Sequence, residues 1–247
     1  MIKIEDLHIK VGEKEILNGV NLKFKKGKNY CLLGKNGSGK SSLSAFLMGQ
    51  PNYEYISGNV EIDGENLLEL SPDERSAMGI FLSFQNVPEI KGIKLGEFLR
   101  TIYNIHLKNE NPEQKDISPF IFKRFIKKHL EELKIEEEFL DRDLNVGFSG
   151  GEKRKIEILQ MKLIGPKYII LDEIDSGLDL DAFKSVCKLL KNLDSENNTF
   201  IIITHYFKIL DYLEIDKVYV MKSGEIFKKG GKELVEYIKE NGYEDLK

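Results

Sequence analysis

The sequence has no tryptophan and little cysteine or proline, with two and six residues respectively among 247. The two cysteines, Cys31 and Cys187, lie far apart in apolar surroundings. This pattern excludes a disulfide scaffold and a CxxC metal site, and it is typical of a reducing compartment. We therefore expect two core thiols and a cytoplasmic location. Since there is no Ser/Gly tract either, the sequence indicates no linker between separate domains.

Long apolar runs and an excess of basic residues are also missing. No stretch approaches the roughly 20 apolar residues that cross a bilayer, and the start, MIKIEDLHIK, has no signal-peptide features. We therefore expect no direct membrane insertion. The net charge of −4 argues against a sequence-independent nucleic-acid partner, because such binding needs a basic surface. The hydrophobic fraction of 41% is enough to bury a sizeable core.

Apolar strand patterns alternate with helical patterns along much of the chain. The strand patterns cover 29–34, 59–64, 79–85, 168–173 and 199–205, and the helical patterns cover 40–49, 152–164 and 178–193. Apolar strands joined through helices predict an α/β fold with a parallel sheet covered on both faces. The alternating segments 2–11 and 15–24 predict two further strands, and 217–230 predicts a hairpin that turns at Ser223-Gly224.

Residues 86–150 differ from the rest of the chain. Two stretches in this region have helical periodicity, as in Phe122, Ile126, Leu130 and Leu133. We interpret 86–150 as a helical subdomain inserted into a single domain that spans 1–247.

The strongest local signal is GKNGSGKS, a full match to GxxxxGK[ST] between a strand and a helix. Glycines let several backbone N–H groups point at phosphate oxygens, and the start of the following helix adds its dipole. The Lys40 ammonium would contact the β- and γ-phosphates, and the Ser41 hydroxyl could ligate Mg²⁺. The motif therefore predicts a nucleotide site; the alternative is a chance Gly-rich turn.

Two carboxylates follow the apolar strand YIIL. Asp172 would polarise a water or the Ser41 hydroxyl on Mg²⁺. Glu173 would face the γ-phosphate and orient the attacking water. An apolar strand that ends in Asp-Glu is common by itself, so this interpretation depends on the presence of the phosphate-binding loop in the same chain.

Four weaker features occur elsewhere in the chain. Ser149-Gly150-Gly151 opens a helix and exposes N–H groups, which can bind an anion or simply form an N-terminal cap. Gln85 ends a strand and could contact Mg²⁺ or water. His205 also ends a strand, where capping or packing is the alternative role. Asp179 lies in a segment that could be only a turn with a helix cap.

In order and spacing, these features together resemble the ABC ATPases over nearly the whole chain. The Ser-Gly-Gly signature is the discriminating part, since other P-loop ATPases lack it. Within that family, FSGGEKRKIEILQM, DEIDSGLDLDA, THYFKILDYL and FQNVPEIKG resemble the SufC-type ATPases of the Suf iron–sulfur cluster assembly system.

The resemblance implies a RecA-like core with an antiparallel β subdomain and a helical subdomain, and an ATPase that uses ATP and Mg²⁺. The implied phosphate-binding residues are Gly34, Lys35, Asn36, Gly37, Ser38, Gly39, Lys40, Ser41 and Ser42. ATP would lie between two copies in a transient homodimer, with Ser149, Gly150, Gly151 and Asp179 of one copy facing the other. Ser41, Gln85 and Asp172 would serve the metal, and Glu173, His205 and Gln85 would be the catalytic residues.

The resemblance also implies binding to SufB/SufD-type scaffold proteins, which ATP-driven dimerisation would remodel. The alternative is the ATP-binding subunit of a membrane transporter, because both classes dock partners near Gln85 and the helical insert. A translation or repair ATPase is a third class, for which two nucleotide domains or a long coiled-coil insert would be expected; the sequence has neither.

Overall fold

The computed structural model describes residues 1–243 and Leu246; Glu244, Asp245 and Lys247 lie outside the described residues. The strands are β1 (Ile2–Val11), β2 (Lys14–Phe24), β3 (Tyr30–Leu33), β4 (Glu54–Ile62), β5 (Glu65–Asn66), β6 (Ile80–Ser83), β7 (Ile90–Lys94), β8 (Asp143–Leu144), β9 (Tyr168–Asp172), β10 (Thr199–Ile203), β11 (Lys217–Lys222) and β12 (Glu225–Gly230). The α-helices are α1 (Lys40–Leu47), α2 (Pro72–Ala77), α3 (Leu95–Glu110), α4 (Pro119–Leu133), α5 (Gly150–Ile164), α6 (Leu180–Leu193) and α7 (Lys232–Asn241).

The chain divides into two compact units. The first, here called the sheet unit, contains Met1–Phe84, Pro166–Asp175 and the chain from Asp194 onward. The second, the helix unit, contains Gln85–Gly165 and Ser176–Leu193. These bounds differ from the predicted 86–150 insert, because α5, which packs against α3, α4 and α6, belongs to the helix unit together with α6. The assignment of one 1–247 domain stays a prediction.

A six-stranded sheet forms the centre of the sheet unit. Its strand order is β12-β11-β3-β10-β9-β6, and all neighbours are parallel except the β11–β12 hairpin, which turns at Ser223-Gly224 as predicted. The predicted α/β fold is confirmed. Since β3, β9 and β10 run in parallel side by side, their carboxyl ends meet at one edge of the sheet. That edge carries the Gly-rich loop, the Asp-Glu pair and the histidine.

Both faces of this sheet are covered, as the apolar strands predict. Leu32 of β3 packs in a core with α1 and the second sheet, whereas Cys31 and Leu33 pack with α7. Neighbouring residues of a strand point to opposite faces, so one four-residue strand supplies two cores. Cys31 and Cys187 are both fully buried, which confirms that they are core thiols.

A second, antiparallel sheet has the order β2-β1-β4-β5. The predicted strands 2–11 and 15–24 are confirmed, and the strand predicted over 59–64 begins earlier, at Glu54. This sheet provides the antiparallel β subdomain that the family resemblance implies.

The helix unit buries the apolar stripe predicted for α4, namely Phe122, Ile126, Leu130 and Leu133. The short ladder between β7 and β8 was not predicted, because β8 has only two residues and no alternating pattern. Among the described residues, no helix is long and apolar enough to span a bilayer.

Candidate nucleotide site

The Gly-rich loop leaves β3 at Gly34 and ends at Gly39, immediately before α1. Gly34 has a φ of 152°, and a Cβ at this position would lie 2.4 Å from the carbonyl oxygen of Met221. Such a distance is far below van der Waals contact, so a side chain would push the loop away from β11. The loop can therefore start in this position only with glycine.

Lys40, the first residue of α1, turns back into the loop. Its Nζ donates to the carbonyl oxygens of Gly34, at 2.8 Å, and Lys35, at 3.2 Å. The side chain is only 4% exposed. Burial lowers the pKa of the Lys40 ammonium, and the nearby carboxylates of Glu173 and Asp172 counter this shift. Two backbone carbonyl oxygens of the loop therefore hold a buried cation.

The Ser38 hydroxyl is the second polar group buried in this loop. Ser38 is 4% exposed, and no group of the described chain forms a hydrogen bond with its Oγ. Burying a hydroxyl without a hydrogen-bond partner costs free energy. Its presence here therefore favours a bound ligand that forms a hydrogen bond with the Ser38 hydroxyl. Beside the Lys40 ammonium and the start of α1, the suitable ligand is an anion such as a nucleotide phosphate.

Asp172, at the end of β9, contacts two serines of α1. Ser41 Oγ donates to its Oδ1 at 3.0 Å and Ser44 Oγ to its Oδ2 at 3.2 Å. Burial raises the pKa of the Asp172 carboxyl, and these two hydroxyls counter the shift. Sequence reasoning missed Ser44, although a residue three positions after Ser41 lies on the same helix face.

Glu173 and His205 meet beyond the ends of β9 and β10. The Oε1 of Glu173 lies 3.0 Å from the Nε2 of His205. The Glu173 backbone N–H donates to the carbonyl oxygen of Ile203 at 2.9 Å, while its φ is +49°. A side chain in this left-handed region costs about 1 kcal/mol or more, and such residues concentrate at functional sites.

The strain at Glu173 gives a stability prediction. We expect Glu173→Gly to raise the free energy of unfolding by about 1 kcal/mol, because glycine adopts positive φ without this cost. Lys134→Gly is the matched control, since Lys134 also has positive φ, at 53°, where α4 ends. Urea unfolding should show both variants stabilised. A destabilised Glu173→Gly beside a stabilised Lys134→Gly would contradict the strain argument.

Asp175 forms a second link between the same strand ends. Thr204 Oγ1 lies 3.2 Å from Asp175 Oδ2, and the Tyr206 N–H donates to Thr204 Oγ1 at 2.8 Å. Burial raises the pKa of the Asp175 carboxyl. This link fixes the chain on either side of His205. Sequence reasoning missed Asp175, which lies within the quoted DEIDSGLDLDA segment but has no signal of its own.

The helix unit holds the other predicted site residues. Ser149 caps α5, where its Oγ accepts from the Glu152 N–H at 3.3 Å and a Glu152 carboxylate oxygen accepts from the Ser149 N–H at 2.7 Å. This reciprocal capping box explains why glutamate follows the two glycines. The anion-site interpretation of Ser149 stays a prediction beside this structural role.

The glycines of the signature allow close packing within the helix unit. A Cβ on Gly150 would lie 2.9 Å from the carbonyl oxygen of Gly177, and one on Gly151 would lie 3.1 Å from the Ala182 Cβ. Asp179 Oδ1 accepts from the N–H groups of Asp181, at 3.0 Å, and Ala182, at 2.8 Å, and so caps α6. The structure thus brings the starts of α5 and α6 together.

Gln85 opens the helix unit two residues after β6 ends. Arg154 Nη2 donates to its backbone carbonyl oxygen at 3.0 Å. Two further contacts hold the same segment within the helix unit. Lys153 Nζ lies 2.8 Å from Glu89 Oε1, and Asn145 Nδ2 donates to the Pro88 carbonyl oxygen at 2.9 Å. The 85–89 segment is therefore anchored around the start of α5.

Comparison with known proteins agrees with this arrangement. The family model described as ABC transporter matches residues 17–176, which is more than half of the chain. The Escherichia coli protein named probable ATP-dependent transporter SufC is 44% identical over 98% of this chain and 97% of its own. The Plasmodium falciparum iron-sulfur cluster assembly protein SufC is 41% identical over 98% of this chain and 70% of its own.

A solved structure shares the fold. The ATP-binding cassette MJ0796, in a dimeric post-hydrolysis state bound to ADP and Pi, superposes with a TM-score of 0.75 over 94% of this chain and 98% of its own. At 23% identity this likeness shows the fold alone. The fold and the Gly-rich loop define a P-loop nucleotide-binding protein. With the family match, the chain belongs to the ABC transporter family, and it is an ATPase of that family.

Proposed function

We propose that this protein is the ATP-hydrolysing subunit of an iron–sulfur cluster assembly complex, in which ATP-driven dimerisation remodels a SufB/SufD-type scaffold. The observation that carries the proposal is similarity over essentially the whole chain to proteins named SufC, at 41% to 44% identity. The FSGGE signature supports it, because it belongs to the segments that resemble the SufC-type ATPases.

The sheet unit would hold the nucleotide. Lys40 would turn its ammonium from the loop carbonyls to the β- and γ-phosphates, and the Ser38 hydroxyl would gain a phosphate partner. The donors at Ser41 and Asp172 fit Mg²⁺, a cation that prefers oxygen ligands; they already lie 3.0 Å apart. The assignment of Gln85, which lies in the helix unit, as a further ligand stays a prediction from the sequence. When bound, Mg²⁺ would neutralise phosphate charge and orient the phosphates.

Glu173 and His205 would carry out the hydrolytic step. The Glu173 carboxylate would accept a hydrogen bond from the attacking water and hold it in line with the γ-phosphate. His205 would contact the γ-phosphate from the end of β10, while its 3.0 Å contact keeps the Glu173 side chain oriented. The partly buried Asp175–Thr204 link would hold the two strand ends in place.

Two copies would complete each site. The helix starts at Ser149 and Asp179 are adjacent within the helix unit, and both point N–H groups outward from a helix terminus. Ser149, Gly150 and Gly151 of one copy would face the γ-phosphate held by the other. The dimeric state of MJ0796 with ADP and Pi supports this arrangement in a cassette of the same fold.

The scaffold would dock on residues roughly 84–105. Ile90 and Ile93, both in β7, are 38% and 42% exposed, and Pro88 is exposed beside them. Phe98 is half-buried and offers part of its ring. Because the Glu89–Lys153 contact joins this segment to α5, a scaffold bound at Ile90 could shift the signature helix.

A charge at this surface tests the proposed partner. We expect Ile90→Asp to weaken binding of a SufB/SufD-type scaffold at least about tenfold, because an aspartate would be desolvated in the contact. Ile121→Asp is the matched control, an isoleucine of the same unit that is 56% exposed on α4. Calorimetric titration with purified scaffold should separate the two variants, with unchanged thermal unfolding in both.

Equal scaffold binding by both variants would contradict the proposed docking surface.

The alternative function, an ATP-binding subunit of a membrane transporter, is retained because relatives carry the word transporter in their names. Recovery of the protein only in membranes, bound to a multi-span permease, would favour that function and overturn the proposed cytoplasmic role.

A further inference from the structure

A tyrosine near the C-terminus contacts the start of the phosphate-binding loop. The Gly34 N–H donates to Tyr243 Oη at 3.3 Å, across 209 positions of sequence. Burial raises the pKa of the Tyr243 phenol, so the hydroxyl remains neutral. The ring packs against an apolar core formed by Cys31, Leu33, Val218, Val220, Leu234, Val235, Ile238 and Leu246.

Gly34 is held from three directions. Its N–H donates to Tyr243, its carbonyl oxygen accepts from Lys40 Nζ at 2.8 Å, and the Met221 carbonyl fills the space where a Cβ would lie. One residue therefore connects the tyrosine hydroxyl to the buried ammonium. A shift of Gly34 would move a carbonyl oxygen that holds Lys40.

The helix that precedes Tyr243 shares a core with the strand that precedes Gly34. Leu234 and Ile238 of α7 pack in one cluster with Cys31 and Leu33 of β3. The strand and the tyrosine thus share one packed core, and this packing places the hydroxyl against the start of the loop.

We propose that Tyr243 is a positioning residue for ATP: its hydroxyl fixes Gly34 so that Lys40 is pre-organised to contact the phosphates. This inference rests on the proposed role of Lys40. The tyrosine acts through the loop and touches no reacting atom. It should therefore affect nucleotide affinity rather than the chemical step, which is proposed for Glu173 and His205 beyond the ends of β9 and β10.

A pocket beside the tyrosine limits the size of the effect. The Tyr243 side chain and loop residues 35–38 line a pocket of about 460 Å³, which Lys222 and Phe227 also border. Gly34 does not line this pocket but Tyr243 does, so in Tyr243→Phe a water that takes the place of the hydroxyl would pair with the Gly34 N–H.

The test compares two tyrosines of the sheet unit whose hydroxyls contact the backbone, the partly buried Tyr243 and the buried Tyr219. Tyr219→Phe is the control. In the wild-type protein the Tyr219 hydroxyl donates to the Lys23 carbonyl oxygen at 3.2 Å, away from the loop. We expect Tyr243→Phe to raise the Kd for a non-hydrolysable ATP analogue about 3- to 10-fold, the worth of one hydrogen bond. KM should rise in parallel and kcat should change less than about twofold. Tyr219→Phe should lose similar thermal stability and keep the wild-type Kd.

Lys40→Ala, measured in the same titration, separates this inference from the proposed site. If Lys40→Ala loses affinity and Tyr243→Phe behaves like Tyr219→Phe, the positioning role is wrong and the proposed site stands. A fall in kcat without a change in Kd for Tyr243→Phe would also overturn the inference. If Lys40→Ala binds the analogue like the wild type, the proposed site and the inference both fail.

Discussion

Glu173→Gln is expected to slow ATP hydrolysis by about 10²- to 10⁴-fold, the usual worth of general-base assistance. Glutamine keeps the size of the side chain and can still form a hydrogen bond at the His205 position, 3.0 Å away. It removes the negative charge and the basic oxygen that are proposed to hold the attacking water. Phosphate release under single-turnover conditions would measure the loss without interference from product release.

ATP binding should survive in this variant. The loop, Lys40 and the Asp172–Ser41 pair are unchanged, so the contacts proposed for the phosphates remain. His205→Gln is the companion variant, because it changes the other member of the contact and should leave the carboxylate in place. If Glu173→Gln hydrolysed ATP at the wild-type rate, another group would be the base.

Lys40→Ala is expected to weaken Mg-ATP binding at least about 10²-fold, because two or more hydrogen bonds between an ammonium and phosphate oxygens would be lost. The lysine is buried, and its ammonium already contacts two carbonyl oxygens of the loop, so it is positioned where the phosphates are proposed to bind. Fluorescence titration with a labelled nucleotide would measure the change.

Lys28→Ala is the matched control for this loss of charge. Lys28 lies in the same unit, and its Nζ contacts Asp216 Oδ1 at 2.8 Å on the surface. The Lys28→Ala variant should bind nucleotide with the wild-type affinity. Wild-type affinity in Lys40→Ala would show that the phosphates lie elsewhere.

The local features of the fold could be predicted because each depends on neighbouring residues. The GxxxxGKS match between a strand and a helix gives β3, the loop and α1, and a parallel sheet then brings the ends of β9 and β10 to the same edge. The Asp172–Ser41 and Glu173–His205 contacts follow from that edge.

Long-range packing could not be predicted from the same patterns. The sequence has no local signal for the Tyr243–Gly34 contact, because the two residues are far apart in the chain and the tyrosine stands in a polar segment. Nor does periodicity reveal that α5 and α6 belong with the helix unit, since an amphipathic helix fits several neighbours equally well.

The signature region shows how one residue can have two roles. Ser149 caps α5, as the simpler interpretation held, and Asp179 caps α6. Neither contact prevents a role in nucleotide recognition, because a capped helix start still presents its remaining N–H groups. The proposed role of these residues therefore depends on a second copy of the chain.

The molar mass of Glu173→Gln with Mg-ATP tests the central claim most directly. ATP binding and dimerisation are linked when each nucleotide contacts two chains, so uncleaved ATP should hold the variant as a homodimer. Light scattering after size-exclusion chromatography should give twice the monomer mass for Glu173→Gln, and the monomer mass for Lys40→Ala, for the nucleotide-free protein and for Glu173→Gln combined with Ser149→Arg. A monomeric Glu173→Gln at saturating Mg-ATP would contradict the account.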